Sequence, residues 1–289
     1  MSFAERYRSL FERLPEAARR HVADWKIVRL PGNLPPWTDS TLAVRAGDEL
    51  TWLAEGRVAA SEELGLWGGP SFHLWTRIGE RGTIFKGTGA THTFRATAAG
   101  ALHFATYQGE WATRDGELAT PVELYQTVTG VIEVAAIRWS GGAAEGLAAI
   151  AAAGPQDPLI GAELRRLASP VVKPEGWEQL WFLGDNAIFS SRGGGIGVHM
   201  HEDAGILQKP VEIDLTPDTT LSWRWLVSKL PASEAENTIP THDYLSIAVE
   251  FDNRLDLTYY WSAALPVGTV FTCPLPTWAA RETHMVVRS

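Results

Sequence analysis

The feature that most constrains this chain is a cadence. Short apolar and β-branched runs, many alternating with polar residues, recur along most of its length and are cut by turns such as Ala46-Gly47-Asp48 and Ala99-Gly100. Chains punctuated in this way fold as β-sandwiches or jelly rolls. One group of strands is predicted at residues 41–44, 49–54, 72–78, 83–85, 92–96, 102–107, 122–127 and 131–139. A second is predicted at 179–183, 187–190, 195–201, 211–215, 221–227, 244–251, 255–261, 270–273 and 284–288. Between them residues 140–175 turn Ala-rich, with helices predicted at 143–153 and 158–168, a Gly154-Pro155 break, and Lys173-Pro174-Glu175-Gly176 at the end.

At the start, Phe3, Tyr7, Leu10, Phe11, Leu14, Ala18 and Val22 recur at helical spacing, and Pro15 divides the pattern into two short helices. The apolar face of this helix has to dock, either on a sheet or on a second copy of the chain as a homo-oligomer. The predicted fold class is therefore all-β: two β-sandwich or jelly-roll domains with an N-terminal helix and a short helical connector. The expected boundaries are 1–24 for the helix, 25–139 for the first sandwich, 140–175 for the connector and 176–289 for the second sandwich.

Composition excludes several classes. Apolar residues make up 45% and charged residues 20%, enough to bury a core in each half. A net charge of −9 argues against a nucleic-acid partner, which needs a basic field. No run of about 18 apolar residues exists, so no membrane partner is expected. The first residues lack an apolar signal core, and the expected location is cytoplasmic. The single cysteine, Cys273, excludes an internal disulfide framework and a cysteine zinc cluster; beside Pro274 in an apolar stretch, it reads as a buried, inert thiol. Thirteen tryptophans stand out, as core or as ligand platforms.

Four constellations could carry chemistry. His199 and His201, two apart in a strand, share a face and could hold a divalent metal, zinc or calcium, with a carboxylate from Glu250, Asp252 or Asp243; the alternative is a solvated strand end. His242 and Asp243, with Arg224, Tyr259 and Tyr260 on neighbouring strands, suit proton abstraction beside a carbonyl, the Arg stabilising developing charge. Against this, Asp243 could cap a turn with Arg224 paired to it, and alternation turns Arg224 away from Trp223 and Trp225. Trp67, His73 and Trp111 on loops of the first sandwich could stack on a sugar ring or simply close the end of the sandwich. The run Arg192-Gly193-Gly194-Gly195 reads as a hairpin, since no phosphate-loop Lys-Ser/Thr or β-α-β context follows.

The first half resembles the galactose-binding-like sandwich of the soluble galactophilic bacterial lectins, the PA-I type. The matching pieces, in order, are Val44-Arg45-Ala46-Gly47-Asp48-Glu49-Leu50, Leu74-Trp75-Thr76-Arg77-Ile78-Gly79 and Ala99-Gly100-Ala101-Leu102-His103-Phe104. The loop that follows carries Trp111, Asp115 and Glu117; in that family the region holds calcium and sugar, although here it is longer and lacks the Asn pair. The second half resembles a bacterial family known as domain of unknown function 3047, through Leu221-Ser222-Trp223-Arg224-Trp225, His242-Asp243-Tyr244, Tyr259-Tyr260-Trp261 and Met285-Val286-Val287-Arg288-Ser289. This second resemblance implies a jelly-roll-like sandwich and no assigned activity.

The functional expectation is a binding protein for a small-molecule or glycan ligand, with Trp67, His73, Trp111 and Asp115 as ligand-binding residues. A catalytic extension would be a lyase or isomerase using His242, Asp243, Arg224 and Tyr259 without an organic cofactor. The rivals are a lyase or hydratase for a hydrophobic metabolite and a non-catalytic binding or assembly protein.

Overall fold

The computed structural model describes the chain apart from residues 35–36, 64–65, 88, 108–110, 114, 120, 171, 184–187, 201–203, 231–232, 239–244 and 275–277, and apart from the side chains of residues 66 and 179–183. Strand accounts for 39% of the chain and helix for 18%, so the protein is mostly β, an all-β sandwich fold with small helical parts. It forms two compact units, Met1–Val211 and Glu212–Ser289. Among the described residues no helix is long and apolar enough to cross a membrane.

The first unit opens with helices α1 (Phe3–Glu12) and α2 (Glu16–Arg19). Nine strands follow: β1 (Val22–Pro31), β2 (Thr38–Val44), β3 (Glu49–Ser61), β4 (Leu66–Gly68), β5 (Leu74–Ile78), β6 (Phe85–Lys86), β7 (Thr91–Arg95), β8 (Gly100–Thr106) and β9 (Thr129–Trp139). One antiparallel sheet runs β1-β9-β3-β4, with β7 also paired to β3; the other runs β2-β8-β5-β6. The long β3 serves two neighbours on one edge, since Glu49–Leu53 pairs with β7 and Val58–Ser61 with β4. Leu42, Val44, Leu50, Trp52, Leu74, Phe104, Ile132 and Val134 fill the space between the sheets.

The other face of the first sheet is also buried. Leu53, Ala135, Ile137 and Trp139 pack with Phe3, Tyr7 and Phe11 of α1, and with Leu147, Ile150 and Ile160 of helices α4 (Ala143–Ala153) and α5 (Pro158–Ala168). The apolar face of α1 therefore docks on the sheet of its own chain. Burial on two faces also explains why Trp52–Ala54 is apolar without alternation. Helix α5 is pinned at both ends. Asp157 caps its N-terminus, accepting from Leu159 N at 2.9 Å and Ile160 N at 3.1 Å, and takes the Tyr7 hydroxyl at 2.8 Å. Further along, the fully buried Glu163 accepts from Thr91 Oγ1 at 2.7 Å and Arg166 Nε at 2.9 Å. Burial pushes the Glu163 carboxyl upward, but the hydrogen bonds from Arg166, Thr93 and Thr91 outweigh it and hold the group below its ordinary range.

The connector helices lie where the sequence placed them. Three other expectations change. The helical pattern across residues 1–24 ends at Arg19, and Val22 begins β1; Trp25 on that strand stacks on Phe11 at 4.9 Å, so strand residues prolonged the helical apolar pattern. Residues 122–127 form a 3-10 turn rather than a strand, with Val122 and Leu124 exposed and only Tyr125 buried. The run at 72–78 is divided, because α3 (Pro70–His73) occupies its start.

Beyond the connector the first unit adds β10 (Glu178–Leu183), β11 (Phe189–Arg192), β12 (Gly195–Val198) and β13 (Ala204–Gln208). The β11–β12 hairpin turns on Gly193 and Gly194, both at positive φ (54° and 80°), the conformation that this tight turn demands. In the second unit β14 (Ser246–Glu250), β15 (Asp256–Trp261), β16 (Val270–Thr272) and β17 (Glu282–Arg288) form a sheet in the order β14-β15-β17-β16, with β15 and β17 parallel. No strand forms at 211–215 or 221–227. These segments alternate as strands do, but no ladder takes them up, and Ile213, Leu215, Leu221 and Leu226 are exposed.

Candidate functional site

At one end of the first sandwich β4 lies on the edge of β3 with Ala59 opposite Trp67. An edge position leaves the indole without a neighbour on its outer side, and Trp67 is 56% exposed. The Arg57 guanidinium sits 5.3 Å from the centroid of its ring. Arg57 in turn pairs with Glu62 at 3.5 Å, and Thr129 donates to the other carboxylate oxygen at 3.0 Å. An aromatic face, a guanidinium and a carboxylate thus stand side by side at the surface.

Directly behind this edge is His73. A Cβ on Gly68 would lie 2.4 Å from His73 Nε2, so only glycine lets the ring pack this close to the strand. The Nδ1 of His73 lies 3.0 Å from the carbonyl of Tyr107, which can only accept, and so Nδ1 carries the proton. Burial lowers the His73 pKa, keeping the ring neutral at physiological pH. Next to it Lys86 donates to the carbonyls of Ser71 (2.9 Å) and Phe72 (2.7 Å); burial pushes its pKa down to about 7.

Trp111 belongs to an aromatic stack. It lies against Trp37 at 5.2 Å, Tyr107 at 4.1 Å and the edge of Trp75 at 5.7 Å. Arg77 covers Trp37 from 4.3 Å and donates to the Asp115 carbonyl at 2.6 Å, while Trp37 Nε1 donates to the Gly116 carbonyl at 2.9 Å. The Asp115 carboxylate accepts from Thr113 within its own loop, a bond that holds its pKa below the usual value. Trp67 and His73 thus share one edge, and Tyr107 links His73 to Trp111. Trp111 packs against the core of the sandwich, Asp115 lies in the loop beside it, and the groups flanking Trp67 are Arg57 and Glu62. Sequence reading did not find that pair, because their approach depends on the β3–β4 pairing; the cue available was alternation along β3 beside a tryptophan.

In the second unit the proton-transfer set is only partly placed. His242 and Asp243 lie outside the described residues, as does His201. His199 is exposed, its backbone N donating to the carbonyl of Ile188 at 2.9 Å. Trp223 packs on Tyr259 at 5.2 Å and Trp225 on Trp261 at 5.8 Å, whereas Arg224, alternating with them, is exposed.

One cluster was missed altogether. Cys273, Glu282 and His284 each offer a ligand atom, and these atoms all lie within 4.8 Å of one another. His284 is fully buried and Cys273 is 2% exposed. The sequence signal was Glu282-X-His284, two residues that share one face of a strand, but nothing local tied them to Cys273.

Comparison with known proteins returns both of the resemblances drawn from the sequence. Residues 175–289 match the model of a family described as "Protein of unknown function (DUF3047)". A search of curated proteins returns no match. Among solved structures, the chain is similar to an "EclA N-terminal domain; PllA-like lectin", at 17% identity and a TM-score of 0.32, covering 39% of this chain and 95% of that one.

Proposed function

We propose that the protein binds a carbohydrate-like small molecule at the Trp67 edge of its first sandwich. The observation that supports this reading is Trp67 itself. It is a tryptophan 56% exposed on an edge strand, with Arg57 over its ring and Glu62 beside Arg57. An open indole face offers an apolar plane to the C–H face of a sugar ring. A guanidinium and a carboxylate next to it offer donors and acceptors to hydroxyls. Arg57 would also take the carboxylate of a uronate. His73, neutral and fixed from behind, positions the strand that carries Trp67. Trp111 and Asp115 keep the sandwich end rigid in this reading and do not touch the ligand.

Thermal unfolding of the full chain over a panel of simple sugars, uronates and hydrophobic carbonyl compounds tests it, with and without chelator. A ligand at about 100 times its dissociation constant stabilises by roughly 2.7 kcal/mol, a rise of several degrees at roughly 2–4 °C per kcal/mol. A shift with a sugar or uronate is expected. A shift confined to the hydrophobic carbonyl compounds would refute the proposal.

A further inference from the structure

We infer that Cys273, Glu282 and His284 form a binding site for a thiophilic divalent cation, zinc above all. The site is built by strand pairing. In the antiparallel β16–β17 ladder Phe271 faces His284, and one step further the Cys273 N–H donates to the Glu282 carbonyl at 3.3 Å. Alternation then places Cys273, Glu282 and His284 on one face of the sheet. Sulfur, carboxylate oxygen and imidazole nitrogen are the three donor types that zinc prefers, and a tetrahedral site of three protein ligands keeps one position for water.

The three side chains converge. His284 Nε2 lies 3.3 Å from Glu282 Oε2, and the Cys273 thiol hydrogen-bonds the same carboxylate. The imidazole is fixed between Tyr260 at 5.1 Å and Phe271 at 5.0 Å. Its Nδ1 is buried without a hydrogen-bond partner among the described residues. Asp256 faces Glu282 across the parallel β15–β17 ladder and adds a second carboxylate to that face.

A nucleophilic role for the thiol fits less well. Cys273 and His284 are closed to a substrate, and Glu282 stands between them as the common acceptor. The cation would replace the thiol proton: Cys–SH plus M²⁺ gives Cys–S⁻–M²⁺ plus one H⁺. With the Glu282 carboxylate the cation and its two anionic ligands sum to zero, which lowers the cost of burying them.

Cys273 is the sole cysteine, so a thiolate-to-metal band can arise from no other residue. The full chain, stripped with chelator, is titrated with cobalt(II) and, separately, with zinc by calorimetry. The expected result is one cobalt per chain, a thiolate-to-cobalt charge-transfer band, zinc displacement of that band, and release of one proton. Cys273→Ser, a conservative change for folding, abolishes the band. It also weakens zinc by more than the roughly 10–100-fold that loss of an outer-shell partner costs. Glu282→Gln keeps the band and weakens binding. Absence of the band in the folded wild-type chain would overturn the inference, and so would zinc binding undiminished in Cys273→Ser. Neither result bears on sugar binding at Trp67.

Discussion

Replacing Glu163 by alanine should cost the first unit about 3 kcal/mol. The carboxylate is fully buried, binds Arg166 on its own helix, and reaches across to Thr91 on β7, so it ties α5 to the sheet. Removing one partner of a buried ion pair costs roughly 3–5 kcal/mol when the other charge is stranded. Here the Arg166 side chain is 26% exposed and can turn toward water, which brings this part below that range, to about 2 kcal/mol. Losing the acceptor for the Thr91 hydroxyl, only 8% exposed, adds a share of the roughly 1–3 kcal/mol that an interrupted buried hydrogen bond costs. At roughly 2–4 °C per kcal/mol for a unit of this size, the melting temperature should fall by roughly 6–12 °C. Glu163→Gln keeps a carbonyl acceptor for Thr91 and loses only the charge, so about half the effect is expected. Urea unfolding followed by circular dichroism measures both variants. An alanine variant within about 0.5 kcal/mol of wild type would refute the reasoning. Equal losses for Gln and Ala would refute the hydrogen-bond share of it.

Other outcomes follow from the same packing. Burial, with the Arg166 charge adding to it, pushes His92 down to about 3, while the unfolded chain takes up that proton near pH 6.5. The stability His92 permits is therefore full above about pH 6.5 and falls as pH drops toward about 3, by a few kcal/mol in all. His92→Phe, stacked as His92 is on Phe94 and Trp52, should flatten acid unfolding curves across that window; an unchanged slope would count against it. Deleting residues 1–13 removes Phe3, Tyr7 and Phe11 from the sheet, so soluble yield and cooperative melting should be lost. A truncated chain that melts normally at a new solution mass would instead support assembly through the helix. Gly56→Ala should destabilise by more than about 2 kcal/mol, because φ is +110° and a Cβ would meet the Val131 carbonyl oxygen at 2.2 Å; a neutral result in denaturant titration would contradict the backbone geometry.

The connector was legible because its signals are local. Asp157 before Pro158 starts a helix, and Gly154-Pro155 breaks one, whatever surrounds them. The strands of the sandwich were legible from alternation, or from continuous apolar runs where both faces are buried. Strand β1 was not, since Val22 and Trp25 serve the same apolar interface as α1 and so extend its pattern. Val122 and Leu124 look like strand residues until their exposure is known. The sites depended on distant pairing. Arg57 and Glu62 reach Trp67 only through the β3–β4 edge, and Cys273 reaches Glu282 and His284 only through the β16–β17 register. No local pattern encodes whether a tryptophan is a stack centre, as Trp111 is, or an open face, as Trp67 is.

The most direct test of the central claim is isothermal titration of the full chain and of Trp67→Ala with the sugar or uronate that shifts the melting temperature most. Trp67 lies on an edge strand and is largely exposed, so the variant should keep the wild-type melting temperature to within a few degrees. At least a tenfold loss of affinity is expected, about 1.4 kcal/mol, with stoichiometry unchanged. Equal affinity in the two proteins would contradict it.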